Sequence, residues 1–169
     1  MGDDMGGGFG GNDFGSQISW SKELKKFCRE LNDETMEYLE KPKHVWVVLF
    51  WNERRDHDDI MQSPVDELKQ FTEKMNLILR IASVNCKKSN GVSAKICSKY
   101  QQYLDDSPTV LIFPSEEEGQ IEKVNGRIEM KNLVYLATKM IKNRVDTVDS
   151  NYYKTYINRS QEKKKHVFL

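Results

Sequence analysis

No apolar run in the 169 residues approaches the roughly 18 that a membrane-spanning helix needs. Nor does the N-terminus carry a positively charged stretch followed by an apolar one, the pattern of a secretory leader. Net charge is missing as well. The 26 Lys and Arg balance the 26 Asp and Glu, which argues against a broadly basic nucleic-acid-binding surface and leaves room only for a local patch. Cysteine is scarce: Cys28, Cys86 and Cys97 allow at most one internal disulfide with one thiol over, and no two of them stand at Cys-x-x-Cys spacing. What remains is a chain with 38% hydrophobic and 31% charged residues, long enough for one domain of ordinary size plus some tail.

The organisation follows from pattern. Residues 1–19 open with "MGDDMGGGFGGNDFGSQ", a glycine-rich stretch punctuated by Phe9 and Phe14. It holds too little apolar surface to offset chain entropy and is expected to be a flexible linker. The next segment, Ile18 to Lys43, supports two readings. Leu24, Phe27, Cys28 and Leu31 fit one long helix. Alternatively Lys26–Leu31 is a short strand, and Asn32-Asp33 caps a helix from Glu34 to Glu40 that ends before Pro42. "HVWVVLFW" (His44–Trp51) is β-branched and aromatic without alternation, so it is expected to be a central strand buried on both faces. From Asp58 to Met75 the residues Ile60, Met61, Val65, Leu68, Phe71 and Met75 share one helical face, with Pro64 expected to kink it. Further expected elements are a strand over Leu77–Asn85, a short helix over Ser93–Leu104 and a strand over Pro108–Pro114. An edge strand over Ile121–Gly126 and a helix over Glu129–Val145 complete the set. The order β-α-β-α-β-β-α, with a further β-α possible at the front, predicts a layered α/β domain.

A polar tail runs from Asp146. "EKPKHV" (Glu40–Val45) returns as "EKKKHV" (Glu162–Val167) at an offset of 122 positions. Two readings stay open: coincidence between two Lys-rich strand starts, or the first strand of a second related domain, in which case 146–169 is a linker and the beginning of that domain.

Behind Phe50-Trp51 lies a dense polar run, Asn52 to Asp59, at the start of the long helix. His57 among carboxylates suggests metal ligation, but Asp56, His57, Asp58 and Asp59 are consecutive and cannot converge on one ion from a single turn. Carboxylates are favourable at a helix N-terminus. A solvated, dipole-matched helix start is therefore expected, with no metal and no cofactor. "SEEEG" (Ser115–Gly119) reads as a charged turn.

Taken together, "FCRELNDETMEYLEKPKHVWVVLFWNE", "SVNCKKSNGVSAKICSKYQQYLDDSPTVLIFP" and "VNGRIEMKNLVYLATKMI" resemble the thioredoxin-like domains of the protein disulfide isomerase type, over about Lys26–Val145. The resemblance favours the strand-plus-helix reading of the ambiguous segment. It implies a three-layer α/β/α sandwich around a mixed sheet of four or five strands, within a domain spanning residues 20–145. Ser107-Pro108-Thr109 ahead of an apolar strand matches that family's cis-proline loop, so a cis bond is expected at Ser107-Pro108. Cys86 in "VNC" and Cys97 in "CSKY" match a non-catalytic cysteine pair found in such domains, which implies a Cys86–Cys97 disulfide. A bridge closing so short a loop stabilises by roughly 2–3 kcal/mol and implies an oxidising compartment. Redox-active members place Trp-Cys-x-x-Cys after the aromatic pair, at the helix N-terminus, where the thiolate is stabilised. Here the matching run Arg54, Arg55, Asp56, His57, Asp58 contains no sulfur, and Leu49 stands where active members bury an acidic proton acceptor. In the resembled fold neither Cys28 nor Cys86 is expected at the active-site end.

The resemblance therefore implies an emptied redox site whose remaining use is contact with polypeptide. By position, Trp51, Asn52, Arg54, Arg55, His57, Ser107 and Pro108 are the candidate contacts. The start "GGGFGGNDFG" resembles the Gly/Phe-rich segment that follows the J domain in Hsp40-type co-chaperones, some of which carry thioredoxin-like domains in the endoplasmic reticulum. That implies a piece of such a co-chaperone in the endoplasmic reticulum lumen, with a cytoplasmic location as the alternative. Its implied partners are client polypeptide and other chaperones. Hsp70 is reached only through a J domain, and the His-Pro-Asp motif of that domain is not in this chain. The competing readings are a thiol-dependent peroxidase or transferase on the same fold, using Cys28, Cys86 or Cys97, and a cytosolic thioredoxin-like adaptor. Asn158-Arg159-Ser160 is a glycosylation triplet, usable only in a secretory compartment.

Overall fold

A computed structural model describes residues 18–87, 93–116 and 119–146. The Gly/Phe-rich start, the "EKKKHV" repeat and Asn158 lie outside the described residues. In chain order the elements are α1 (Trp20–Lys25), β1 (Arg29–Glu30), α2 (Glu37–Glu40), β2 (Trp46–Trp51), α3 (Asp58–Met75) and β3 (Arg80–Asn85). These are followed by α4 (Ala94–Lys99), a 3-10 turn (Gln101–Tyr103), β4 (Thr109–Phe113), β5 (Glu122–Lys123) and α5 (Met130–Asp146). The sheet order is β1-β3-β2-β4-β5. β1, β3 and β2 run parallel, while β4 is antiparallel to β2 and β5 to β4.

The uninterrupted apolar runs are explained by two cores, one on each face. In β2, Val47, Leu49 and Trp51 point into a core with α1, α3 and α5, contributed by Trp20, Leu24, Met61, Leu68, Phe71 and Leu133 among others. Trp46, Val48 and Phe50 point the other way, against Leu31, Leu39, Ile96 and Tyr100. Every residue of β2 and β4 is buried, and each such Val, Leu or Phe contributes about 1.5–3 kcal/mol of burial. The expected three-layer sandwich with a mixed sheet is what forms, here with five strands.

The ambiguous segment resolves into parts of both readings. Trp20–Lys25 is helical, β1 is only two residues long, and Asn32 caps the turn into α2 by accepting from the amides of Glu34 and Thr35 at 2.9 and 3.3 Å. α2 covers only the last turn of the expected Glu34–Glu40 helix. Asp33 serves a different element: its carboxylate accepts from the amides of Lys95 and Ile96, fixing the start of α4. Pro64 lies inside α3 without ending it. Gly126 takes φ 78° in the turn between β5 and α5, a left-handed conformation that glycine adopts without a Cβ clash.

Candidate functional site

β2 and β3 are parallel, so both end on the same side of the sheet, and the start of α3 and the turn before β4 meet them there. The chain leaves Trp51 into a tight turn. The amides of Arg55 and Asp56 donate to the Asn52 carbonyl at 3.0 and 2.7 Å, and the Arg54 amide donates to the Asn52 side chain at 2.9 Å. Asp56 folds back to accept from the Asn52 amide at 2.8 Å. It is only 2% exposed, and the Arg55 guanidinium closes on it through Nε and Nη2 at 2.9 and 3.0 Å. Pairing with Asp56, the largest influence, raises the Arg55 pKa above its usual value. Arg55 also donates to the Asp105 carbonyl at 3.3 Å, tying the turn to the segment before β4.

One expectation holds here only in part, and another fails. A solvated helix start was expected; His57, Asp58 and Asp59 are exposed, while Asp56, in the turn before α3, is buried as half of an ion pair. Trp51 was expected as a polypeptide contact, yet it is 3% exposed because its side chain points into the α3 face of the core. Arg54 and His57 are exposed, and Asn52 is half-buried with its amide group donating to the Cys86 carbonyl at 3.3 Å. Leu49 is fully buried among apolar neighbours. Asp58 accepts from the indole N–H of Trp20 at 2.8 Å. Trp20 is itself 6% exposed, so this bond ties the first turn of α1 to the start of α3. No sequence motif marked that contact.

Ser107–Pro108 also departs from expectation. Among the described residues no peptide bond is cis. The trans isomer is intrinsically favoured by about 0.5–1 kcal/mol, and the turn closes around it. The Thr109 hydroxyl accepts from the Asp105 amide at 3.2 Å and donates to the Ser107 carbonyl at 3.0 Å.

Cys86 and Cys97 form a disulfide, with their Cα atoms 5.9 Å apart. Cys86 was expected away from the active-site end but lies at it. It directly follows β3, and its amide donates to the Trp51 carbonyl at 2.7 Å. The bridge forms part of the wall of a 520 Å³ cleft together with Asn52, Arg55, Lys87, Gln101 and Ser107. The remaining thiol, Cys28, is buried on the α1 side, donates to the Leu24 carbonyl at 3.1 Å, and is pushed up to about 12 by burial. At neutral pH it carries almost no thiolate, the form that attacks. Glu53, on the outer edge, is held below its usual pKa chiefly by the hydrogen bond from Lys87. Among the described residues no group of three or more His, Cys, Asp or Glu is placed to hold a metal.

No protein-family model and no curated protein matches the chain. Solved structures do. The J-Trx1 fragment of ERdj5 superposes with a TM-score of 0.57 at 20% identity, covering 76% of this chain and 62% of that fragment. The fold is thioredoxin-like. The Trx4 domain of ERdj5 gives 0.53 at 18% identity over 72% of this chain and 98% of that one. Chloroplastic thioredoxin z gives 0.54 at 12% identity over 68% and 95%. This chain spans only 16% of a longer ERdj5 structure. On a thioredoxin-like scaffold, the Arg55–Asp56 pair and Asn52 turn lie at the sheet end where the cleft opens.

Proposed function

We propose that this thioredoxin-like chain is a non-catalytic module that binds extended polypeptide, within a J-domain co-chaperone of the endoplasmic reticulum lumen. The observation that supports it is the turn ahead of α3, which holds no sulfur and is tied by an ion pair between the buried Asp56 carboxylate and the half-buried Arg55 guanidinium. Cys28 is buried, and the other two sulfurs are joined to each other. Thiol chemistry by the route of redox-active relatives therefore has no nucleophile at the helix start.

The cleft beside this pair suits contact. Among the described residues the amides of Asp106 and Ser107 donate to no protein acceptor, and both residues are exposed. An extended chain laid along the turn pairs with such free donors, while side chains enter the cleft past Gln101 and Lys87. The titration that checks this uses a fluorescently labelled, permanently unfolded protein and follows the amide resonances of the chain. Saturable binding is expected, with shifts at Asn52, Lys87 and Ser107. Ser107→Pro, which removes one donor, is expected to weaken it by about tenfold, the equivalent of about 1.4 kcal/mol. Absence of binding, or shifts confined to other faces, contradicts the proposal.

A further inference from the structure

At the opposite end of the sheet, where β2 and β3 begin, is a second cleft of 480 Å³ that does not depend on the reading above. Trp46 and Ile81 form its buried floor, 5% and 7% exposed. Around it stand Arg29, Lys41, Lys43 and Arg80, four exposed cations, with His44 beside them and Glu37 as the one carboxylate. The neighbouring acids are engaged elsewhere: Glu30 pairs with Lys25 at 2.8 Å, and Glu40 pairs with Lys99. Among the described residues none of the four cations makes an ion pair. In a chain whose charges balance overall, this concentration of unpaired positive charge over an apolar floor is local and specific. Three of the lining residues, Lys41, Lys43 and His44, belong to the recurring "EKPKHV" motif.

We propose that this cleft binds an organic phosphate: an apolar or aromatic body carrying a phosphate or diphosphate group. Four cations facing one carboxylate leave a surplus that a single carboxylate ligand cannot neutralise. A phosphate carries about −1.5 to −2 at neutral pH, and a diphosphate more. Arginine presents a planar fork that matches phosphate oxygens. Arg29 is already oriented over the Tyr38 ring, 4.6 Å from its centroid, and Tyr38 leans on Trp46 at 6.0 Å. This stack holds one guanidinium at the rim and leaves the floor apolar. The volume suits a small molecule.

The test is a calorimetric and NMR titration of the 169-residue chain with ATP, inorganic pyrophosphate and an acidic hexapeptide. ATP is expected to bind saturably, to shift the amides of Tyr38, His44 and Ile81, and to bind at least about tenfold more tightly than pyrophosphate. Arg80→Ala and the double variant Lys41→Gln/Lys43→Gln are each expected to weaken ATP about tenfold or more. All three side chains are exposed, so the variants are expected to fold, and unchanged amide spectra outside the cleft verify it. Equal affinity for ATP and pyrophosphate overturns the role given to the apolar floor. Shifts spread equally over Lys22 and Lys95, or preferential binding of the peptide, overturns the phosphate site.

Discussion

Asp56→Ala is expected to destabilise the chain by about 3 kcal/mol, read as a lowered denaturant midpoint at unchanged slope. The carboxylate is inaccessible, so its removal strands the Asn52 amide and leaves the Arg55 guanidinium without its partner. Losing one member of a buried pair costs about 3–5 kcal/mol. The lower end applies because the Arg55 side chain is 36% exposed and hydration stabilises it once Asp56 is gone. A double-mutant cycle with Arg55→Ala separates the pair from the cap: the double variant is expected to be less destabilised than the two single changes added together. Additivity would mean that Asp56 acts on the Asn52 amide alone.

The second large effect is expected at Trp20. Trp20→Ala removes a buried ring from the core shared by α1, α3 and α5, at a cost of about 3–5 kcal/mol. Trp20→Phe keeps most of the packing and loses the hydrogen bond to Asp58, so it is expected to cost about 1 kcal/mol beyond the size change. If alanine at this position were tolerated within about 0.5 kcal/mol, the range of an ordinary surface change, α1 would be dispensable to the core.

These two residues also mark what could be seen in advance. β2 and β4 were legible because a strand buried on both faces reads as a near-continuous apolar run, and apart from Thr109 at the start of β4 their residues are apolar. α3 was legible because its buried residues recur at helical spacing over 18 residues. β1 was not, since two residues carry no period, and Leu24, Cys28 and Leu31 are buried in both readings of the segment. Asp56 was misjudged because its neighbours Asp58 and Asp59 are exposed and composition does not distinguish the three. What buries it is the turn that folds it under Asn52. Trp20 finds its partner 38 positions away, beyond the reach of local pattern. The basic cleft draws its cations from Arg29, from Lys41 and Lys43, and from Arg80, three separated places that the overall charge balance conceals.

At the start of α3 the absence of sulfur is plain in the sequence, but what fills the space is not. Here the Asn52 turn is closed by the Arg55–Asp56 pair, and the Asp58 carboxylate accepts from the Trp20 indole. The disulfide stands at the same end, so its own inertness is the part of the proposal most exposed to experiment.

The direct test is insulin reduction by the purified chain in the presence of dithiothreitol, followed as turbidity. The rate is expected to equal that of dithiothreitol alone at every protein concentration. Acceleration that scales with the chain and disappears in Cys86→Ser would show that the bridge exchanges with substrate, and would contradict a non-catalytic module.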